Sequence, residues 1–300
     1  MKIILLILAT FIWGAGFVGT RWTLVDFGPV WSNGLRFVFA SLIGLLITFA
    51  FSLIKKVNLR TLFYSREALY CGGVLWIALQ LQTIGIGLTS LSKSGFLTTF
   101  YALFTPLFCF ILFGSRFKKA FWLLLLVSLV GVAMLCELDI KKINNGDLFI
   151  LASAVFFSLH IILVDRYCQN VDAFIFNIQQ IHFIAIISIP FGLYYEGMPA
   201  LEKLITENSY IFGSSLWGFI ILALFSSILA FSIQVYAQKG IAPHIVGLVF
   251  LMESVFSTFF GYLLFDERLT PLMIAGCILI LVAIAMVPFQ LKVNRKVATY

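Results

Sequence analysis

Charged residues are scarce in this chain. Asp, Glu, Lys and Arg make up 11% of its 300 residues, whereas 62% are apolar and the mean hydropathy is +1.07. A water-soluble domain carries roughly 25% charged residues. The composition therefore excludes a soluble globular protein and predicts an integral membrane protein.

The residue patterns that support common enzyme and metal chemistries are missing as well. The sequence has no Walker sequence, no His-Glu-x-x-His helix and no nucleophile elbow, so neither direct use of ATP nor these hydrolase mechanisms are expected. We expect no cofactor, no metal and no nucleic-acid partner. Five cysteines, odd in number and without metal-type spacing, are expected to be reduced packing residues: Cys71, Cys109, Cys136, Cys168 and Cys277.

One apparent motif wrongly suggests nucleotide binding. Residues 14–19 match G-x-G-x-x-G, the dinucleotide-binding fingerprint. That fingerprint needs a strand before it and an acidic residue about 20 positions later, whereas residues 30–50 contain no Asp or Glu. The glycines instead predict a small-residue face that lets the first helix approach a neighbour closely.

Long apolar runs are abundant. Each is about 20 residues long, enough to cross roughly 30 Å of hydrocarbon as a helix, and the runs are continuous Leu, Ile, Phe and Val rather than the alternating pattern of a barrel. The sequence therefore predicts an all-α membrane protein with ten transmembrane helices. The first run is expected to be a retained span rather than a cleaved signal peptide. The ten runs are 3–20, 31–54, 68–88, 94–115, 120–136, 147–167, 172–195, 213–236, 244–265 and 271–289.

The basic residues lie mainly on one side of these spans. Of the 20 Lys and Arg residues, 13 fall on the side that holds both chain ends; they are Lys2, Lys55, Lys56, Arg60, Arg66, Arg116, Lys118, Lys119, Arg166, Lys239, Lys292, Arg295 and Lys296. Cytoplasmic loops carry such an excess. We therefore expect cytoplasmic termini, a location in the cell inner (plasma) membrane, and contact with anionic lipid headgroups.

The chain contains an internal repeat. Residues 82–136 and 234–288 are similar at a constant shift of 152 positions, and a weaker similarity at a shift of 144 joins Trp13 to Phe157, Asn33 to Asn177 and Arg36 to Gln180. Five spans per half is an odd number, so the second half must cross the membrane in the opposite sense. We therefore predict two inverted five-helix repeats, residues 1–146 and 147–300, around a central cavity.

Two segments carry a family resemblance. One runs from Thr89 to Leu107 and the other from Leu251 to Thr270, and the Trp13-Gly14 pair fits with them. Together they resemble EamA-type transporters of the drug/metabolite transporter superfamily, although Glu253 is followed by Ser254 where the family commonly has Glu-Pro. The resemblance implies a ten-helix, inverted-repeat carrier of small organic solutes. Pro106 is expected to break the fourth span.

Glu253 is the first candidate site residue. It lies about ten residues into its span, roughly 15 Å deep at 1.5 Å per residue. An acidic side chain facing lipid there would cost about 2.5–3.5 kcal/mol, so Glu253 is expected to face the interior of the bundle. It would bind a cationic substrate group or a proton, or form a structural hydrogen bond to a neighbouring helix.

Arg36 has two open interpretations. It could reach the headgroup region at the end of its span, or it could contact a substrate carboxylate or phosphate and pair with Glu253 while the site is empty. Asn33 and Asn177 are expected to form interhelical hydrogen bonds. Gln82 and Gln234 are expected near helix ends, where they could be gate groups or, as we favour, bond to interfacial water.

Helical spacing assembles the remaining candidates. Tyr101 falls on Glu253 under the shift of 152, so the two are expected to face one cavity. Positions three or four apart share a helix face, which adds further candidate substrate-binding residues. These are Trp13, Phe17, Trp76, Gln80, Thr98, Phe157, His160, Phe250 and Ser257.

These observations favour a carrier that works by alternating access, secondary active or facilitative, with protons as a candidate coupling ion. Its substrate is expected to be an amino acid or another amphipathic zwitterion or cation; a nucleoside-type metabolite such as S-adenosylmethionine is the alternative. A passive channel or scaffold, and a membrane-embedded enzyme using Glu253 with His160, are the competing classes. Neither transport direction nor oligomeric state follows from the sequence.

Overall fold

The computed structural model describes residues 1–55, 65–135, 143–206 and 210–294. Within these ranges the regular structure is helical, which confirms the predicted all-α class. Some residues used above for orientation and cysteine chemistry lie outside the described residues: Lys56, Arg60, Cys136, Arg295 and Lys296.

The helices are numbered in chain order. The first half contains α1 (Lys2–Asp26), α2 (Pro29–Lys55), α3 (Arg66–Leu88), α4 (Leu91–Thr98), α5 (Tyr101–Phe113) and α6 (Lys119–Leu135). The second half contains α7 (Asn145–Tyr167), α8 (Ala173–Glu196), a 3₁₀ turn (Leu201–Leu204), α9 (Ser215–Ile220), a π-helical segment (Ile221–Ala230), α10 (Phe231–Gln238), α11 (Pro243–Phe250), α12 (Met252–Phe265) and α13 (Pro271–Asn294).

Eight of the ten predicted spans are long and apolar enough to cross a membrane: Lys2–Asp26, Pro29–Ala50, Arg66–Leu88, Lys93–Phe113, Asn145–Tyr167, Ala173–Glu196, Ser215–Gln238 and Pro243–Phe265. The fifth is the shorter apolar helix Lys119–Leu135, and the tenth is the apolar segment Pro271–Val287 of α13, which itself runs to Asn294. Seventeen residues extend about 26 Å at 1.5 Å per residue, somewhat less than a hydrocarbon core of about 30 Å. The total of ten spans therefore stays a prediction.

Polar side chains start several of these helices. The Ser65 hydroxyl accepts from the Ala68 amide at the start of α3, Asn144 and Asp147 form a reciprocal capping box on α7, and Asp172 accepts two amides of α8. Backbone groups without a partner are costly in lipid. The caps therefore set the helix ends where the apolar runs begin.

Two of the spans are interrupted at equivalent positions. One break lies at Thr99–Phe100, between α4 and α5, and the other at Leu251, between α11 and α12, which is Thr99 shifted by 152. Both use tight i to i+3 hydrogen bonds, such as Ala102 N to Thr99 O and Ser254 N to Leu251 O. The prediction that Pro106 breaks the fourth span was wrong. Pro106 lies inside α5, and the second break forms without a proline.

Close packing between the helices depends on glycine at a few positions. A Cβ added at Gly14 would lie 2.6 Å from Phe256 Cβ, and one at Gly19 would lie 3.1 Å from the Gly218 carbonyl oxygen. At these glycines α1 therefore rests directly on α12 and α9. This confirms the predicted close approach of the first helix to a neighbour in place of a nucleotide fingerprint.

Gly276 of α13 lies against the backbone of α6, and an added Cβ there would be 2.3 Å from Gly131 O and 2.7 Å from Leu135 N. We expect Gly276→Ala to lower the thermal unfolding temperature in detergent by several degrees, because backbone atoms cannot move aside and overpacking costs about 1–3 kcal/mol. Gly73→Ala is the matched control, since its Cβ would meet only Phe183, at 3.6 Å. Equal unfolding temperatures for the two variants would contradict the expected clash.

Candidate functional site

A central cavity lies between the two halves of the chain. It brings together nine of the twelve candidates: Trp13, Phe17, Arg36, Thr98, Tyr101, Phe157, His160, Phe250 and Glu253. They come from α1, α2, α4, α5, α7, α11 and α12. Ligand sites are commonly concave and mostly apolar, with a few placed polar groups, and this lining has that character.

Glu253 begins the helix that follows the break at Leu251. Its side chain is 7% exposed, and Tyr101 Oη lies 2.9 Å from Glu253 Oε2 and 2.9 Å from Phe250 O. A phenol has one proton to donate, so Tyr101 shares it between the carboxylate and the backbone carbonyl. The repeat-related positions 101 and 253 are thus in direct contact.

Arg36 enters the cavity from α2. Its guanidinium is 4% exposed and donates from Nε to Ser227 Oγ, at 2.7 Å, and from Nη2 to Ser226 Oγ, at 2.8 Å. The interpretation that Arg36 reaches the headgroups was therefore wrong: these serines hold it inside the bundle. Among the residues that the structure describes, no ion pair joins Arg36 to Glu253, so the predicted pairing is also wrong. Two side chains of opposite charge thus line one cavity without contacting each other.

Trp13 contacts residues next to both charged side chains. Its indole Nε1 is 3.4 Å from Ser226 O, next to the hydroxyls that hold Arg36. Its ring packs edge-on against Phe250, with centroids 4.9 Å apart, and against Phe231 at 5.1 Å. Aromatic surface therefore lies next to residues that contact each of the two charged side chains.

The serines that bind Arg36 belong to the π-helical segment Ile221–Ala230. Asn177 Nδ2 donates to Ser227 O at 3.0 Å and to Ile228 O at 3.1 Å, while Asn33 Nδ2 donates to Gln80 Oε1 at 3.3 Å. The predicted interhelical hydrogen bonds of both asparagines are confirmed. π-Helical turns occur preferentially at functional sites, but the sequence contained no signal for this one.

Three candidates lie outside the cavity, so their predicted placement was wrong. Trp76 donates to Ser188 Oγ at 3.0 Å, and Gln80 donates to Pro29 O at 3.2 Å, because their face of α3 packs on α8 and α2. Ser257 donates to Ser254 O at 3.1 Å and packs against Gly95. The face of α3 that lines the cavity instead carries Leu79, Gln82 and Ile86.

The expectation that the two glutamines bond to interfacial water was also wrong. Gln82 and Gln234 are buried and line the cavity, although Gln234 does lie near the end of its helix, Phe231–Gln238. The signal that could have identified them is the repeat itself, because glutamine occupies the same position in both halves. His160 lines the cavity beside them and bonds through Nε2 to Gln180 Oε1, at 3.0 Å.

Comparison with known proteins identifies the family of this chain. The model of the EamA-like transporter family matches residues 1–136 and 144–289. A protein of Archaeoglobus fulgidus, named only as an uncharacterized transporter, is 24% identical over 285 residues, which cover 95% of this chain and 85% of that protein. A protein of known crystal structure has a similar fold, with a TM-score of 0.75 at 17% identity over 98% of this chain and 99% of its own. The family match covers most of the sequence, and the chain therefore belongs to the EamA-like transporter family.

Proposed function

We propose that this membrane transporter moves a small amphipathic zwitterion or cation, most simply an amino acid, by alternating access. The observation that carries the proposal is the unpaired placement of Arg36 and Glu253 in the lining of one cavity, which Trp13 also lines. A buried charge without an opposite charge nearby is unfavourable. A substrate that brings a carboxylate to Arg36 and an ammonium to Glu253 would compensate both charges at once.

The packing of the two broken spans supports the inverted repeat that alternating access needs. In them α4 contacts α12 and α5 contacts α11, so the amino-terminal part of one span meets the carboxyl-terminal part of the other. Antiparallel helices related by a two-fold axis pack in this way. The two separate family matches, residues 1–136 and 144–289, support a division of the chain into two repeats, a few residues before the proposed boundary at residues 146 and 147.

The aromatic lining supports the second candidate substrate class. Trp13, Phe157, Phe231 and Phe250 all face the cavity, and flat aromatic rings stack well on a nucleobase. A nucleoside-type metabolite with an amino-acid end, such as S-adenosylmethionine, would use the same two charged side chains. Competition by such a compound against the amino acids would favour this alternative.

In a cell we expect the protein in the inner membrane with both termini cytoplasmic, in contact with anionic lipid. The carboxyl group of Glu253 is the candidate proton-binding group if transport is coupled to protons. The orientation can be tested with two variants that carry a single cysteine in place of Ser115 or Ser214, which lie in loops expected on opposite sides of the membrane. The measurement is whether a membrane-impermeant thiol reagent increases the mass of each variant from the outside.

Counterflow tests the proposed function. Full-length protein in sealed liposomes is loaded with unlabelled L-leucine, L-methionine or L-phenylalanine, and uptake of the labelled compound from outside is followed with protein-free liposomes as the control. A carrier produces a transient accumulation of label, because only a carrier exchanges one substrate molecule for another. A channel gives equilibration without accumulation, and a scaffold or enzyme gives no flux. Absence of accumulation for all three compounds would reject the amino-acid proposal.

A further inference from the structure

Gln234 presents a hydrogen-bonding group that the site described above leaves unused. The residue lines the cavity and is 1% exposed. Its amide nitrogen donates to Gln238 Oε1 at 2.8 Å, and Gln238 Nε2 in turn donates to the Ile161 carbonyl oxygen at 2.9 Å. In the described part of the chain, Gln234 Oε1 has no hydrogen-bond partner.

The direction of this chain of hydrogen bonds is set by its last member. A backbone carbonyl only accepts, so Gln238 must turn its NH₂ group toward Ile161 and its oxygen toward Gln234. Gln234 must then use its own NH₂ group on Gln238. The assignment of oxygen and nitrogen in the Gln234 amide, which is often ambiguous, is therefore determined here, and the free group is an acceptor.

The repeat-related Gln82 has the same polarity for an independent reason. Its Nε2 lies 3.1 Å from Thr98 Oγ1, and the Thr98 hydroxyl donates its proton to Ser94 O at 2.8 Å. A hydroxyl has one proton, so Thr98 accepts from Gln82, and the amide oxygen of Gln82 is left as an acceptor. Both halves of the protein therefore contribute an amide oxygen at equivalent positions of the lining.

We propose that Gln234 accepts a hydrogen bond from an N–H group of the substrate, which makes it a specificity-determining residue for a primary ammonium group. The proposal rests on the proposed function and adds to it. Glu253 alone would attract any positive charge, including a fully methylated one. An oriented amide oxygen also requires a proton on the nitrogen, because a site built to hydrogen-bond a substrate group discriminates strongly against an analogue that lacks it.

A pair of probes separates charge from hydrogen bonding. The first probe is whichever of L-leucine, L-methionine and L-phenylalanine gives the largest counterflow, and the second is its N,N,N-trimethyl derivative, which keeps both charges but has no N–H group. The concentration of each that halves counterflow of the labelled amino acid is measured. For the unmodified protein we expect the trimethyl derivative to be at least about tenfold weaker, the contribution of one hydrogen bond to a charged group.

Three variants test which residue is responsible for the difference between the two probes. Gln234→Met is expected to weaken binding of the amino acid, so that the concentrations of the two probes that halve counterflow differ by less than about threefold. Gln238→Met is expected to do the same with Gln234 still present, since the amide of Gln234 is then free to rotate. Gln80→Met, a buried glutamine outside the cavity, is the matched control and is expected to keep the discrimination of the unmodified protein.

The outcomes distinguish this inference from the function on which it rests. If the unmodified protein shows counterflow but binds both probes equally, or if Gln234→Met and Gln238→Met discriminate as the unmodified protein does, Gln234 is not the acceptor and the carrier proposal stands. If no amino acid gives counterflow, both proposals fail. Unfolding temperatures show whether each variant is folded, and either glutamine variant alone suffices for the test.

Discussion

Replacing Glu253 with Gln is expected to lower amino-acid counterflow by at least about tenfold, and up to about a hundredfold. In the described lining of the cavity Glu253 is the acidic side chain. A hydrogen bond to a charged group contributes about 1.5–3 kcal/mol, which corresponds to this range. The substitution keeps the size of the side chain and its contact with Tyr101, so the loss reports the negative charge.

The pH dependence should change in the same variant. In the unmodified protein, counterflow should fall as the pH is lowered, because a protonated Glu253 no longer attracts an ammonium group. In Glu253→Gln the activity should be low at every pH, without this fall. The measurement is the initial counterflow rate at equal pH on both sides of the membrane.

Two further variants control for indirect effects of Glu253→Gln. Glu202→Gln makes the same chemical change at an exposed position in the 3₁₀ turn, and its rate and pH dependence should match those of the unmodified protein. Tyr101→Phe removes the donor but keeps the carboxylate, so its effect should be smaller than that of Glu253→Gln. Unchanged rate and pH dependence in Glu253→Gln would exclude this residue from the binding site.

Replacing Arg36 with Met is expected to impair transport without lowering the stability of the protein. The concentration of amino acid that gives half-maximal counterflow should rise by about tenfold or more, because the substrate carboxylate loses a charged donor. The unfolding temperature should stay equal or rise. A buried cation without a counter-ion is costly, and a long apolar side chain of similar size relieves that cost.

The two measurements use the same preparation of purified protein. Arg36→Lys should also transport poorly, since an ammonium on a flexible stem cannot bind both serines and a carboxylate as a planar guanidinium does. The primary amine that corresponds to the amino acid without its carboxylate should inhibit the unmodified protein and Arg36→Met equally. A lower unfolding temperature for Arg36→Met, with unchanged half-maximal concentration, would show that Arg36 is structural.

Much of the fold could be predicted because lipid imposes a simple rule on sequence. Continuous apolar runs must become helices, so the predicted spans agree with the observed helices, and capping residues such as Asn144 and Asp172 mark where two of them start. The fifth run was harder to judge, because its helix is close to the minimum length for a span.

Predictions that used the repeat were more accurate than those that used helical spacing. Spacing shows that Trp76 and Gln80 share a face of α3, but it does not show what that face contacts, and it packs on α8 and α2. The repeat relates Tyr101 to Glu253, and these two are in contact. The same relation applied to Gln82 and Gln234 would have placed both in the cavity, since equivalent positions of paired helices lie near a common axis.

The position of Arg36 could not be derived from sequence, because its depth in α2 fits both the headgroup region and the bundle interior. What decides between them is the pair of serine hydroxyls on the π-helical segment. A run such as Ile221–Ala230 is apolar throughout apart from Ser226 and Ser227, and nothing in its composition distinguishes a π-helix from an α-helix.

The wide winding of Ile221–Ala230 links two parts of the cavity that do not touch. Ser226 and Ser227 lie inside this segment, and Phe231 and Gln234 follow it on the same continuous helix. If the segment tightens to ordinary α-helical turns, the residues beyond it rotate about the helix axis and move along it relative to the residues before it. Binding of a substrate group at Arg36 would then be coupled to rotation of Gln234, because Ser226, Ser227 and Gln234 lie on one continuous helix.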